Sequence, residues 1–430
     1  MKILLAWRDC QIGGVQTWMV GMARGLRRLG HDAELFFFRR GPFADHVPPD
    51  IGVHYGNLAD CLRVVRSGCF DVVHAAVDDW DVGLSAVRWV GARLVVTVHG
   101  RVHAGWSSGN CEAIVGCSQW CADAQAAVGD TTVAAIPNGI DLELYAPPVG
   151  SFDGPPIVAW VGRGADREQK QLHRLAAIAP RLASEGIRLW IADPEGPTRV
   201  PPEVVAALQP IAERWGPVPI SSMAEFYRMV AASGGCLLST SAFEGLSMAY
   251  LEAQASGCPV LGPDVAGVRE GVSPLDVGLY PSNLATDALA DFVLAAIRDP
   301  AAMYRRQKSC REFVANRFNL DTTVRRYLEI YENAAPTPTR IRRCLRAISR
   351  LPQFSVRRFV QTNWAAANHQ YLASQQLAEM GEHELASAAI RSSFSTCPTL
   401  YLRTRRLFPL LGFRFRPDPL LAESQSLCQR

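Results

Sequence analysis

The chain has 430 residues, 48% apolar and 20% charged, which is the balance of an ordinary globular protein of two to three domains at roughly 100–200 residues each. That excludes a largely disordered chain, a coiled coil and a collagen-like repeat, and 12 cysteines over this length are too dilute for a disulfide scaffold. The net charge of +3 is uneven: residues 336–430 hold 14 Arg against 5 acids, while residues 1–335 hold 30 Lys+Arg against 36 acids.

Ile3–Trp7 is the only continuous apolar stretch before Arg8 and Asp9, too short for the apolar core of a secretion signal. No apolar run approaches the ~18 residues of a membrane span. The expectation is a cytoplasmic protein whose thiols are mostly buried as small hydrophobes.

Residues 2–7 (KILLAW) read as a buried strand. Val15, Trp18, Met22, Leu26 and Leu29 then recur at helical steps and form one apolar stripe. Gly30 ends that helix, and 33–38 supplies a second strand. Further strands are predicted at 71–77, 94–98 and 113–117, with a helix at 119–128. A Pro/Gly stretch at 146–156 reads as a linker. The alternation restarts with strand 157–161, helix 171–184, strand 187–192 and a helix near 203–214. Helix 223–232, strand 236–239, helix 247–256 and strand 259–261 follow. Short strands alternating with helices predict an α/β chain with two facing Rossmann-like domains and ligands in the cleft, at the carboxyl ends of the strands. The expected divisions are 1–150, 151–335 and 336–430.

After Ala335, Pro-Thr-Pro-Thr forms a stiff spacer, and the remainder reads as a basic helical extension. Gly381, Ala386 and Pro398 give one partial tetratricopeptide match, too few for a repeat array. Arg342, Arg343, Arg346 and Arg350 interleave with Ile341, Leu345 and Ile348, as in an interfacial helix. Residues 340–416 could thus meet an anionic membrane surface, or the arginines could simply solubilise exposed helix faces. Nothing points to nucleic acid.

In residues 243–267, FEGLSMAYLEAQASGCPVLGPDVAG, Glu244 and Glu252 lie eight apart, the first in a loop and the second two turns into a helix. Gly245, Leu246 and Ser247 make the turn between them, with Ser247 a predicted N-cap. Amides at such a helix start suit a phosphate. A carboxylate at 252 could accept both hydroxyls of a ribose, and one at 244 could reach another sugar. The plainer alternative is one exposed loop Glu and one solvated helix Glu. In 161–172, VGRGADREQKQL, Arg163 leaves a strand end and Lys170 opens the next helix. Two cations there would neutralise a diphosphate and stabilise a leaving nucleoside diphosphate, with no metal required. Read plainly, both are surface cations, although Lys occurs only three times against 41 Arg.

Gly13 and Gly14 let a ligand approach the first helix closely, or simply make a tight turn. They are not the G-x-G-x-x-G nicotinamide fingerprint. His99 ends the strand of VTVHGRVH (96–103), where a lone histidine is more often structural. Arg101 could approach an anionic acceptor, and His103 carries no clear role. Cys111, Cys117 and Cys121 near His103 lack a CxxC pair and read as buried thiols rather than a zinc site.

The 243–267 segment resembles the signature of retaining family 4 glycosyltransferases, the glycosyltransferase group 1 domain of GT-B architecture. Glu244, Glu252, Ala253, Ala255, Gly257, Pro259-Val260 and Gly267 carry the likeness, which extends over roughly 1–333. It implies that Glu252 holds the donor ribose, that Glu244 holds the transferred sugar, and that the amides of Gly245–Ser247 face the donor. It also implies that Gly14 lies against donor phosphates and that His99 contacts the donor sugar. The Gly-Arg at 162–163 is similar to the family pattern. Lys170 departs from it, with seven residues after Arg163 and Gln171 in place of a glycine. IPNGIDLELY (136–145) and RFNLDTTVRRYLEIY (317–331) resemble the family's domain-crossover segment and its final helix, which packs back on the first domain.

The resemblance implies a nucleoside-diphosphate sugar as substrate, no separate cofactor, and transfer on one face of the donor to an acceptor hydroxyl; the basic segment 336–430 points to a lipid-linked or saccharide acceptor. Surface polysaccharide synthesis on the inner membrane face is the expected setting. The alternatives are an enzyme making a free disaccharide or sugar-phosphate, and a scaffold with a vestigial transferase domain.

Overall fold

A computed structural model describes residues 1–76, 79–100, 106, 110–128, 133–150, 154–274 and 278–333. Arg101, His103 and the expected extension 336–430, with its interfacial helix and repeat-like spacing, lie outside the described residues.

The first sheet is built from β1 (Lys2–Asp9), β2 (Asp32–Arg39), β3 (Val53–Tyr55), β4 (Val72–Ala76), β5 (Arg93–Val98), β6 (Ala113–Gly116) and β7 (Ala134–Ala135). Its spatial order is β3-β2-β1-β4-β5-β6-β7, and its pairings are parallel, as in Ile3↔Val72 and Val72↔Arg93. Helices α1 (Gly14–Arg28), α2 (Leu58–Ser67) and α3 (Gln119–Val128) make crossovers. Ile3–Ala6 are fully buried, because a parallel strand covered on both faces must be apolar throughout. Sequence reading left β3 and α2 unassigned. The signal for α2 was a capping box: Asn57 Oδ1 accepts from the Ala59 and Asp60 amides, and the Asn57 amide donates back to Asp60 Oδ2 at 3.0 Å.

The second sheet holds β8 (Ile157–Val161), β9 (Arg188–Ala192), β10 (Ala212–Gly216), β11 (Cys236–Leu238), β12 (Val260–Pro263) and β13 (Leu279–Tyr280), in the order β10-β9-β8-β11-β12-β13. Its helices are α4 (Leu172–Ser184), α5 (Pro202–Leu208), α6 (Ile220–Ala232), α7 (Met248–Ala255), α8 (Val268–Gly271) and α9 (Thr286–Ile297). Both sheets therefore reverse strand order at an internal switch point, between β1 and β4 and between β8 and β11. One expectation fails. The helix predicted near 203–214 stops at Leu208, and Ala212–Gly216 is an edge strand on β9. Edge strands carry charge. Glu213, which pairs with Arg188, and Arg214 made this strand read as a helix face.

The chain then forms α10 (Pro300–Arg317) and returns to the first sheet as α11 (Leu320–Asn333). Gly25 of α1 faces Val324 and Leu320 so closely that a Cβ there would lie 2.7 Å from Val324. Deeper in the seam, His74 Nδ1 is 2.5 Å from the Tyr331 hydroxyl and its Nε2 is 2.7 Å from Thr97 Oγ1. Tyr327 bonds the same threonine at 2.9 Å. Burial pushes His74 down to about 3, so it stays neutral and one ring nitrogen must accept. Arg311 ties the crossover by donating to the carbonyls of Leu142, Tyr145 and Ala255 at 2.6–2.9 Å. Among the described residues, no helix is long and apolar enough to cross a membrane.

Candidate functional site

Arg163 and Glu244 lie in the loops that follow β8 and β11, the neighbouring strands at the second switch point. These loops are stitched together. The Ala242 amide donates to the Gln169 carbonyl at 2.7 Å, and Thr240 Oγ1 donates to the Lys170 carbonyl at 2.6 Å. Trp160 Nε1 fixes that threonine at 3.0 Å. The result brings Lys170 Nζ to 2.5 Å from Glu244 Oε1, with both side chains largely buried. Gln169 Nε2 lies 3.3 Å from the other carboxylate oxygen.

Two details differ from the sequence reading. Lys170 does not open the helix: α4 starts at Leu172 after Gln171, which takes a left-handed conformation at φ 48°, where the family pattern would have glycine. Arg163 stays apart from the Lys170–Glu244 pair, 54% exposed and 3.5 Å from Asp166. The two cations thus differ. Lys170 is already paired with a carboxylate, whereas Arg163 keeps most of its reach into solvent.

Gly245 abuts the opposite domain: a Cβ there would sit 2.0 Å from the His99 carbonyl oxygen. Gly267, at φ +75°, is pressed against the Glu244 carbonyl so closely that any side chain is excluded. Leu246 is buried, and its carbonyl accepts from Asn138 Nδ2 at 3.0 Å. Asn138, in the segment that resembles the family's domain crossover, anchors the turn that precedes α7. Ser247 occupies the N-cap position, but its side chain makes no capping bond; its backbone carbonyl accepts from the Tyr250 and Leu251 amides. Across the cleft, Gly14 opens α1 with Met248 beside it, 3.6 Å from where a Cβ would be, and Gly13 is the N-cap.

His99 stands at the end of β5, edge-on to Trp18 with ring centroids 4.5 Å apart. Burial pushes its imidazole down to about 3, and its Nε2 is shut away from solvent with no hydrogen-bond partner among the described residues. A neutral imidazole with an unsatisfied nitrogen can exchange one hydrogen bond with a ligand hydroxyl.

Glu252 is buried. Its Oε2 accepts from the Tyr227 hydroxyl at 3.1 Å, and the Tyr145 hydroxyl of the crossover segment also favours the ionised carboxylate. Burial outweighs both tyrosines and raises this carboxyl to about 7. Neither tyrosine stood out in the sequence, since an isolated Tyr carries no positional signal. Nearby, the buried Asp193 accepts from the Gly164 and Glu195 amides at 3.2 and 3.1 Å, and burial raises its pKa. Beyond it, Trp215, Pro217, Val218, Pro219 and Phe226 line a groove of about 530 Å³ at the carboxyl end of β10, within the size range of small-molecule sites. Cys111, Cys117 and Cys121 are buried free thiols, and no cluster of metal-ligating side chains occurs among the described residues.

Residues 12–144 match Glycosyltransferase Family 4, and residues 155–299 match Glycosyl transferases group 1. The chain belongs to the family 4, group 1 glycosyltransferases. Their GT-B fold, two Rossmann-like domains about a cleft, recurs in solved structures. A Rickettsia africae glycosyltransferase superposes with a TM-score of 0.62 at 17% identity, over 77% of this chain and 98% of that one. Anabaena HepE, solved in complex with UDP and glucose, gives 0.62 at 17%, over 77% and 100%. Among curated relatives, the D-inositol 3-phosphate glycosyltransferase of Kribbella flavida is 30% identical over 48% of this chain and 52% of its own length. The alpha-maltose-1-phosphate synthase of Mycolicibacterium smegmatis is 26% identical over 47% and 57%. The chain thus spans little more than half the length of these two relatives.

Proposed function

We propose that this glycosyltransferase moves a sugar, with retention of anomeric configuration and without a metal ion, from a nucleoside-diphosphate sugar to an acceptor hydroxyl. The observation that carries this reading is the convergence at the second switch point. The Lys170–Glu244 pair, the Gly245–Ser247 turn and the buried Glu252 share one region, with His99 and Gly14 across the cleft. In this reading Glu252 takes the ribose hydroxyls, and the groove beside Trp215 takes the base. Glu244, held rigid by Lys170 and Gln169, meets the transferred sugar, and His99 Nε2 takes one of its hydroxyls. Arg163, Lys170 and the amides before α7 stabilise the charge that grows on the departing diphosphate, the kind of preorganised electrostatic contribution that is often largest in enzymes. The complex of HepE with UDP and glucose supports a nucleotide sugar as donor.

Thermal-shift screening with UDP-, GDP-, ADP- and TDP-sugars tests the donor, because a ligand that binds the native state alone raises the midpoint. One class should stabilise the wild type, and Glu252→Ala should lose both that shift and donor hydrolysis. Hydrolysis unchanged in Glu252→Ala would point instead to a scaffold.

The acceptor in this proposal is a lipid-linked or surface-polysaccharide intermediate, which the chain reaches as a peripheral protein on the inner membrane face. The excess of nine positive charges in residues 336–430 favours an anionic bilayer. Sedimentation with vesicles containing anionic lipid should show that a chain truncated after residue 335 has lost binding. Equal binding by both forms would leave a free saccharide or sugar-phosphate product as the better reading.

A further inference from the structure

The α3 helix of the first domain begins with a feature that no motif foretold. Its first amides, Gln119 N and Trp120 N, each donate at 2.7 Å to one carboxylate, and that carboxylate belongs to Glu270 of α8 in the second domain. Gln119 N bonds Oε2 and Trp120 N bonds Oε1, so both oxygens are engaged at once. The N-terminal amides of a helix are donors without partners of their own, and they carry the positive end of the helix dipole. A carboxylate that accepts two of them is a charge-assisted contact of the strong class. Usually such a cap comes from the same chain segment. Here it comes from a residue 150 positions away, across the cleft.

Both ends of this contact lead into the candidate site. On the second-domain side, Glu270 follows Gly267, which packs against the Glu244 carbonyl. On the first-domain side, the Cys121 thiol of α3 donates to the Gly100 carbonyl. Gly100 follows His99, whose own carbonyl rests on Gly245. The helix start, the His99 strand end and the Glu244 loop are therefore one contiguous stack, and Glu270 closes it from the outside.

We propose that Glu270 is a positioning residue for glycosyl transfer, a latch whose carboxylate docks on the α3 amides and holds the cleft at the width that sets His99 opposite the Glu244–Ser247 turn. The inference rests on the transferase reading above, but its structural half stands alone. Glu270 needs no contact with donor or acceptor, since its two oxygens are spent on Gln119 and Trp120. Opening the cleft releases two amides and one carboxylate to water. A hydrogen bond to a charged group is worth only about 1.5–3 kcal/mol net, so the latch can let go on each turnover.

The test removes each side of the contact separately. Glu270→Gln discards the charge and turns one acceptor into a donor facing an N–H. Gln119→Pro deletes one amide at the first helical position, where proline is well tolerated. In both variants donor affinity, measured by calorimetry with the nucleotide sugar found in the thermal screen, should stay within about twofold of wild type. Turnover should fall about tenfold or more, the worth of a charge-assisted bond. Glu270→Asp, which keeps the charge, should recover part of the loss. The double variant should be little worse than either single one, because both remove the same contact.

Hydrogen exchange read at the Gln119 and Trp120 amides should show protection in the wild type that Glu270→Gln abolishes. Wild-type turnover in Glu270→Gln, or a loss of donor affinity that matches the loss of turnover, would overturn the positioning role. Equal exchange in wild type and Glu270→Gln would overturn the latch itself. If the wild type turns over no nucleotide sugar, the transferase reading falls, while exchange still decides the latch.

Discussion

Glu252 shows how burial can set a residue's chemistry against the hydrogen bonds that serve it. Tyr227 and Tyr145 both favour its ionised form, yet desolvation raises the carboxyl from an ordinary 4.5 to about 7. The folded state therefore binds this proton more tightly than the unfolded chain does. Between about pH 4.5 and 7 the native state carries more protons than the unfolded one, so this group erodes stability as pH rises through that window. Glu252→Gln should accordingly be more stable than wild type at pH 8, by roughly 3 kcal/mol or a little more on the scale of 1.36 kcal/mol per pKa unit. The difference should close below about pH 4.5. Denaturant melts at pH 4.5 and 8 would measure it, and a gap that does not change with pH would contradict the assignment. Donor affinity should follow the opposite course, weakening as pH falls below 7, because a diol needs the ionised acceptor.

The turns that follow β1 and β12 contain glycines whose roles differ. Gly267 sits at φ +75°, and a Cβ would lie 1.6 Å from the Glu244 carbonyl oxygen. Gly267→Ala must displace the Glu244 loop. It should lower stability by about 2 kcal/mol or more through combined strain and overlap, seen as a drop in melting midpoint together with lost activity. Gly14 is the contrasting case. A Cβ there would find Met248 at 3.6 Å, an ordinary contact. Gly14→Ala should leave the melting midpoint unchanged or slightly raised, since Ala suits a helix better than Gly, while donor turnover falls if a ligand must approach this backbone. Unaltered turnover in Gly14→Ala would remove Gly14 from the site.

The two domains are joined by more than their cleft. α11 lays Tyr327 and Tyr331 into the first domain, Ile140 forms a bridge with Asn319, and Arg28 holds both Asp141 and Asp321 at 2.7 and 2.8 Å. Arg311 is the most connected of these ties, with one guanidinium serving three backbone carbonyls. Arg311→Ala would strand those partly buried acceptors at about 1–3 kcal/mol for each one left unpaired. Its unfolding should be both weaker and less cooperative than that of wild type. A single transition at the wild-type midpoint would show that the seam at α11 carries the junction without it.

Much of this architecture could be read directly from the chain. Alternating strands and helices, the Pro/Gly break at 146–156 and the eight-residue interval from Glu244 to Glu252 are local patterns, and local sterics and burial write them into the sequence. The charged strand at Ala212–Gly216 escaped because edge strands and helix faces share a composition. What no local pattern contained was the partners: Lys170 for Glu244, Asn138 for the Leu246 carbonyl, Tyr145 and Tyr227 for Glu252, Glu270 for the α3 amides. Each pair joins positions 25 to 151 residues apart or lies across the domain boundary. Periodicity reports only on neighbours within a few turns; Lys170–Glu244 and Tyr227–Glu252 meet once the second sheet has folded, and the partners of Asn138 and Glu270 only once the two domains have closed on one another.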